Sequence, residues 1–337
     1  MQKNTIFHTL KNRAKIEKKM QENHEKLYIS FGNVVQMVLP IIVTMIFSLC
    51  LFCSSCGNKA DGPAEEVLSK KTYTKVVNQY DRVRDFHEGL CVVGLKDSNY
   101  DYKYGAIDTK GNVVIPIEYD DVNDCQEGVC VVKIGGWNAK CGIVDAKGNV
   151  VLAPCYHKME DFNNGLAVVQ DPQTELYGFV NKKGKVIIPL SYGYAESFSD
   201  DLALVRVKSG KYGYINNQEE IVIPTIYDDA ETFSEGLAIV EKAYKEMVID
   251  TKGEIIYTLP KTQTFYGIYN NGLIPVLKDL DGNRWTDEDR KCGYLDTKGE
   301  VVIDFIYDDA DDFEDGIAYV EKNDRIFLIN TKGEEVE

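Results

Sequence analysis

One block of about 35 residues recurs seven times along this chain, and no other feature constrains its fold as much. The best-kept copy runs from Phe198 to Ala230. It reads Leu202-Ala203-Leu204-Val205, then Tyr212-Gly213-Tyr214-Ile215-Asn216, then Ile221-Val222-Ile223-Pro224, then Tyr227-Asp228-Asp229-Ala230. The next copy starts at once with Phe233, Gly236 and Leu237-Ala238-Ile239-Val240. The register is set by Gly111, Gly148, Gly184, Glu219, Gly253, Gly299 and Gly333, spaced by 37, 36, 35, 34, 46 and 34 residues. The long spacing marks an insertion in the sixth copy. An Asn or Asp stands three residues before each of these positions, as in Asp108-Thr109-Lys110-Gly111. A glycine there takes positive φ, so the loop reads as a type I turn closed by a Gly bulge between antiparallel strands.

Each copy holds three strand-like runs. In the first, Leu237 and Ile239 face one side and Ala238 and Val240 the other, so the strand is expected to be covered on both faces. The second carries a mid-strand glycine such as Gly213, which implies close approach by a neighbour. The third carries Pro116, Pro154, Pro189 or Pro224. Proline donates nothing to a ladder, so this strand is expected to end early or lie at an edge. Helical periodicity is absent. The pattern therefore predicts an all-β fold of tandem three-stranded repeats, a seven-bladed β-propeller, with an open β-solenoid-like array as the alternative. An orphan piece with the third-strand pattern, Val76–Val83, precedes the first copy. It is expected to complete the last blade and close the ring.

The Gly-Leu-Ala-x-Val, Tyr-Gly-Tyr-Ile-Asp-x-x-Gly and Val-Ile-Pro-x-x-Tyr-Asp blocks resemble the bacterial WG-repeat family, also called KWG repeats. The resemblance covers roughly residues 80 to 337. It implies a β-repeat fold and carries no defining activity or catalytic residue. The Trp-Gly dipeptide itself is missing: Tyr104, Cys141, Tyr177, Tyr212 and Cys292 fill the slot before Gly.

The N-terminus points to export. A basic stretch with Lys3, Lys11, Arg13, Lys15, Lys18, Lys19 and Lys26 precedes an apolar run from Val34 to Cys53. Ser54-Ser55-Cys56 follows, small residues before a cysteine, as in a bacterial lipoprotein signal. Lipidation at Cys56 is the expectation, with an uncleaved membrane anchor as the alternative. The chain then divides into a leader and signal or anchor segment (1–55), a lipid-attached tether (56–72) and a repeat domain (73–337) with the insertion near 279–290. Either form of attachment places the repeats outside the cytoplasm, at the bacterial cell envelope, periplasmic or on the surface. Cys53 and Cys56 also match a dithiol spacing, but not in the strand-to-helix setting that redox chemistry uses.

Past Ser55 the chain carries 31 Lys and Arg against 51 Asp and Glu, a net charge of −20. Such a surface repels phosphate backbones, so nucleic acid is not an expected partner. No catalytic, cofactor-binding or metal-binding set emerges. His87 and His157 sit in repeat slots without a second ligand at metal spacing. There is no nucleophile elbow, zinc-protease motif or phosphate loop. The insertion Asp279-Leu280-Asp281-Gly282 lacks the terminal Glu of a calcium loop, since Arg290 stands there. The Asp residues of the Tyr-Asp-Asp-Ala blocks recur once per copy and are expected to cap backbone amides at a bend. Most remaining cysteines fill slots for Ala, Phe or Tyr, which reads as small core side chains, and pairing between two of them stays open in an exported protein.

One pattern stands out from the repeat. The link between the first and second strands varies in length. It holds Tyr100 and Tyr102 in the first copy, Trp137 in the second and Trp285 in the sixth. Equivalent loops of a regular β-array emerge on one face, so these four residues mark the candidate binding face. The functional expectation is a non-enzymatic, envelope-anchored repeat protein mediating protein–protein interaction, with no cofactor. A glycan-binding module at the envelope is the alternative.

Overall fold

The computed structural model describes residues 78–96, 101–280 and 290–336, all inside one compact unit, Glu65–Glu337. The leader, Cys56, Tyr100 and Trp285 lie outside the described residues. Seven antiparallel sheets of four strands follow one another along the chain. The first contains β1 (Arg82–His87), β2 (Leu90–Lys96), β3 (Tyr102–Asp108) and β4 (Val113–Tyr119) in that order. The second contains β5 (Asp121–Val122), β6 (Val129–Ile134), β7 (Lys140–Asp145) and β8 (Val150–Tyr156). Blades 3 to 7 repeat this order over 158–192, 194–227, 229–258, 263–307 and 309–336. The fold is all-β, a seven-bladed, β-propeller-like succession.

One expectation changes here. Each blade has four strands, not three, because the Tyr-Asp-Asp-Ala block holds a bend at its first Asp and then a two-residue strand, Asp229–Ala230 in blade 5. Its two residues pair with the strand that follows, as Ala230 does with Val240. So short a strand has no readable alternation. β1 pairs with β2 of the first blade, and the last strand described in blade 7 is Glu335–Val336; Val76 and Val77, which open the orphan N-terminal piece expected to close the ring, lie outside the described residues.

The local rules read from the sequence hold in detail. The Asp-x-x-Gly loops are type I turns with a bulge: Gly111 donates to the Asp108 carbonyl at 2.9 Å, with φ +84. The Asp108 carboxylate accepts from the amides of Lys110 (2.9 Å) and Asn112 (2.8 Å). Glu219, the one non-glycine in the series, is forced to φ +65. The proline strands lie at a sheet edge, as β4 and β8 do. Opposite them the mid-strand glycine is required by contact. A Cβ on Gly213 would stand 2.6 Å from the Ile223 carbonyl oxygen, and one on Gly105 2.4 Å from that of Ile115. The register shifts at these sites, so the outer strand bulges over the glycine.

The first-run strands are buried on both faces, β2 and β6 among them. Each core cluster but one spans two consecutive blades. Leu202, Leu204, Tyr214 and Ile223 of blade 4 meet Ala230, Phe233, Ala238 and Val240 of blade 5. Blade 2 departs from this scheme. Where blades 3, 4, 5 and 7 carry a phenylalanine and an alanine, it has a disulfide, Cys125–Cys130. Among the described residues the cysteines thus form one bridge, and Cys91, Cys141, Cys155 and Cys292 are free thiols.

A candidate binding face at the hairpin end

The two ends of the blades differ in what they carry. At one end are two-residue hairpins such as Gln126-Glu127-Gly128-Val129, with both central residues at positive φ (53 and 81), the primed turn that matches strand twist. These turns touch from blade to blade. Glu88 accepts from the amides of Glu127 (2.9 Å) and Gly128 (2.7 Å), and Glu235 from Asn271 (2.8 Å) and Gly272 (2.7 Å). Since these turns lie side by side, antiparallel pairing gathers the hairpins between second and third strands at the opposite end. That end also receives the Tyr-Asp-Asp links, and it is where the variable loops emerge.

The hairpins there are latched. Asp120 accepts from the amides of Gly135 and Gly136, each at 2.7 Å, and from the Lys103 ammonium. Asp228 holds the Ala243 amide (2.8 Å) and Lys211, and Asp308 holds the Asn323 amide (2.6 Å) and Lys291. The lysine precedes the Tyr-Gly or Cys-Gly pair in each case, and the aspartate opens the Asp-Asp pair. Burial works against ionisation of Asp120, but the bonds from Lys103 and the two glycine amides prevail and hold its carboxyl below the ordinary aspartate range. The bond from Lys211 does the same for Asp228, and that from Lys291 for Asp308. The expected capping role of these aspartates is therefore met, and the amides capped belong to the loops of the candidate face.

What the latches present is aromatic. Trp137 sits on the short 3-10 turn Gly136–Asn138 and is fully exposed. Tyr102 opens β3 and is half-buried. The Arg82 guanidinium stands 4.9 Å and the Lys96 ammonium 5.8 Å from its ring centroid. It is thus a braced residue at the base of its hairpin, whereas Trp137 projects into solvent. Sequence reasoning missed Tyr244, 83% exposed on the equivalent hairpin of blade 5. That link is only two residues long, Ala243-Tyr244, at φ 51 and 62. Blade 7 fills the same turn with Asn323-Asp324, residue types suited to this conformation. A tyrosine held left-handed with its ring in water contributes little to folding. The signal was present in the sequence as an aromatic in one of the two shortest of the variable links. Among the described residues, no three of His, Cys, Asp and Glu gather as metal ligands would.

Comparison with known proteins bears on the repeat. A family described as WG containing repeat matches residues 104–136, 142–171, 177–212, 212–245 and 293–325. No curated protein matches the chain in sequence. Among solved structures, the chain is similar to BamB from Moraxella catarrhalis, at 11% identity and TM-score 0.40 over 73% of this chain and 83% of that one. It is also similar to the WD40 β-propeller domain of Doa1, at 13% identity and TM-score 0.31, covering 73% and 90%. A third is the WD40 domain of Toxoplasma gondii coronin, at 11% identity and TM-score 0.34, covering 61% and 66%.

Proposed function

Because this chain belongs to the WG-repeat family, we propose that it acts by binding a protein partner across the hairpin end of its blades, without chemistry of its own. The observation that carries this reading is the pair Trp137 and Tyr244. Both rings lie in solvent on latched hairpins of the same end, and Tyr244 occupies a turn conformation that costs a non-glycine residue about 1 kcal/mol. Exposed aromatics on rigidly held loops are what protein interfaces use as anchors. The acidic balance of the exported part favours a partner with a basic surface.

The setting proposed is the bacterial cell envelope, with attachment through lipid on Cys56 or through an uncleaved apolar anchor. Support comes from the basic and apolar leader before Cys56 and from the Cys125–Cys130 disulfide, a bond that persists in oxidising compartments. An envelope glycan is the second reading, favoured by the same rings, since an exposed indole stacks on a sugar face.

The test is to incubate the purified protein with the host's envelope fraction, with and without prior protease digestion of that fraction. Capture lost on digestion is expected. Capture that survives digestion points to the glycan. A Trp137→Ala, Tyr244→Ala double variant that binds as well as the parent would sink the assignment of the face.

A further inference from the structure

The turns between third and fourth strands divide the blades into two groups by charge. The residue after the turn position is Asn112, Asn149 or Lys185 in blades 1 to 3, and Glu220, Glu254, Glu300 or Glu334 in blades 4 to 7. The turns 108–112, 145–149 and 181–185 hold five lysines against two aspartates, a balance of +3. The turns 216–220, 250–254, 296–300 and 330–334 hold three lysines against seven carboxylates, a balance of −4. Both aspartates of the first group are engaged in capping. Asp145 accepts from the amides of Lys147 (2.9 Å) and Asn149 (2.8 Å), as Asp108 does in blade 1. The ammonium-bearing side chains of Lys110, Lys147, Lys183 and Lys185 are exposed.

Aliphatic side chains follow these lysines directly. In blades 1 to 3 the fourth strand opens on Val113, Val150 and Val186, all exposed, and Val151 and Ile187 beside them are exposed as well. The three turns make one continuous stretch of rim, because each lies against the fourth strand of the blade before it. A Cβ on Gly148 would stand 2.1 Å from the Val114 carbonyl oxygen, and one on Gly184 3.0 Å from the Leu152 Cβ. The rim is also tied to the two-residue turns. The Ala146 amide donates to the Gly128 carbonyl at 3.1 Å, and the Lys182 ammonium to the Glu127 carbonyl at 3.2 Å. It therefore lies at the end of the blades opposite Trp137 and Tyr244.

We propose that the rim of blades 1 to 3 rests against an anionic lipid surface, with the aromatic end turned away from it. The occupant is assigned by charge. Valine and isoleucine set among lysines match the boundary between acyl chains and anionic headgroups, where the aliphatic groups leave water and the ammonium groups meet phosphate. Blade 5 supplies the contrast. Ile255 is 58% exposed and Val150 is 59% exposed, but Glu254 precedes Ile255 where Asn149 precedes Val150. An anionic surface repels that side of the molecule, so the contact is confined to one arc of an otherwise acidic chain. This orientation leaves Trp137 and Tyr244 open to a partner. It rests on the envelope setting proposed above and adds which side of the blades faces the membrane.

The test uses the full-length chain with p-benzoylphenylalanine in place of Val150, Ile255 or Trp137. Each form is reconstituted in vesicles of phosphatidylcholine and phosphatidylglycerol that carry a tritiated lipid. After irradiation, position 150 should take up about tenfold more lipid label than position 255 or 137. Lys147→Gln, Lys183→Gln and Lys185→Gln together should lower the label at 150 about tenfold with the melting temperature unchanged, as should vesicles of phosphatidylcholine alone. Equal label at 150 and 255 would make exposure rather than charge the cause and overturn the proposal. Cross-links from position 150 to a second chain in place of lipid would overturn it equally. Chains that float with the vesicles but take no label at 150 would remove the rim contact and keep the anchor. Chains that neither float nor take label would remove both.

Discussion

Tyr214 and Phe233 stack across the boundary of blades 4 and 5, with ring centroids 4.7 Å apart and planes inclined by 59°. The Tyr214 hydroxyl continues over the boundary to donate to the Glu231 carbonyl at 2.6 Å. Tyr294 and Phe313 repeat the arrangement at 4.8 Å and 56°, and Tyr294 donates to Asp311 at 2.8 Å. Phe179 and Phe198 keep the ring contact, at 5.0 Å, without the hydroxyl. An aromatic from blades 3, 4 and 6 thus locks the next blade in place. Both Tyr214 and Phe233 are fully buried, and burial holds the Tyr214 hydroxyl protonated far above the ordinary phenol range, so it stays a donor.

Phe233→Ala should therefore cost about 3–5 kcal/mol, as a large cavity in a packed core does. Tyr214→Phe keeps the ring and strands the Glu231 carbonyl, for about 1–3 kcal/mol. Urea unfolding followed by circular dichroism measures both. Equal losses for the two variants would contradict the division into ring and hydroxyl.

Two glycines should respond differently to alanine. At Gly213 the added Cβ meets the Ile223 carbonyl oxygen at 2.6 Å, so the outer strand must move. At Gly236 the Cβ enters open space and only φ +79 resists. Gly236→Ala should cost about 1 kcal/mol. Gly213→Ala should cost clearly more and loosen amide exchange along Ile221–Tyr227. The reverse order in melting temperature would refute the bulge as the reason for the repeated mid-strand glycine.

The Cys125–Cys130 bridge stands where blades 3, 4, 5 and 7 carry a phenylalanine and an alanine, so its loss leaves the blade 1–2 boundary underfilled. The closed loop is short, and the entropic share of the bridge is about 2 kcal/mol. Reduction with dithiothreitol should lower the melting temperature of the parent and leave a Cys125→Ser, Cys130→Ala variant unmoved. A parent indifferent to reductant would mean that these thiols are not joined in the folded protein.

The Lys103–Asp120 latch gives a pH signature. The Asp120 carboxyl is held below its ordinary value of about 3.9, so the folded state favours its charged form. The stabilisation is complete above that value and is lost as pH falls through the lower, folded-state value. Asp120→Asn should loosen the amides of Gly135 and Gly136 at pH 7, seen as faster hydrogen exchange. It should also flatten the acid limb of the stability curve. An unchanged acid limb would assign that limb to other carboxylates.

Much of this molecule was legible because its rules are local. A turn glycine, an aspartate or asparagine that caps two amides and a proline at a strand edge each act within a few residues, and repetition made each visible in several copies. The short first strand escaped notice because Asp229-Ala230 is too brief to show alternation and gains strand character only by pairing with Val240 and Glu241. Tyr244 escaped because its exposure depends on the length of its hairpin, not on its neighbours in sequence.

The sequence by itself determined the period, the all-β class and the seven-fold count, since turn chemistry and hydrophobic pattern are set along the chain. Only tertiary structure decided that Cys125 pairs with Cys130 and that Arg82–His87 belongs to the first blade. Each depends on which surfaces meet across a boundary. Every blade carries nearly the same pattern, so the sequence specifies what a face can pack against but not which of the available faces it reaches.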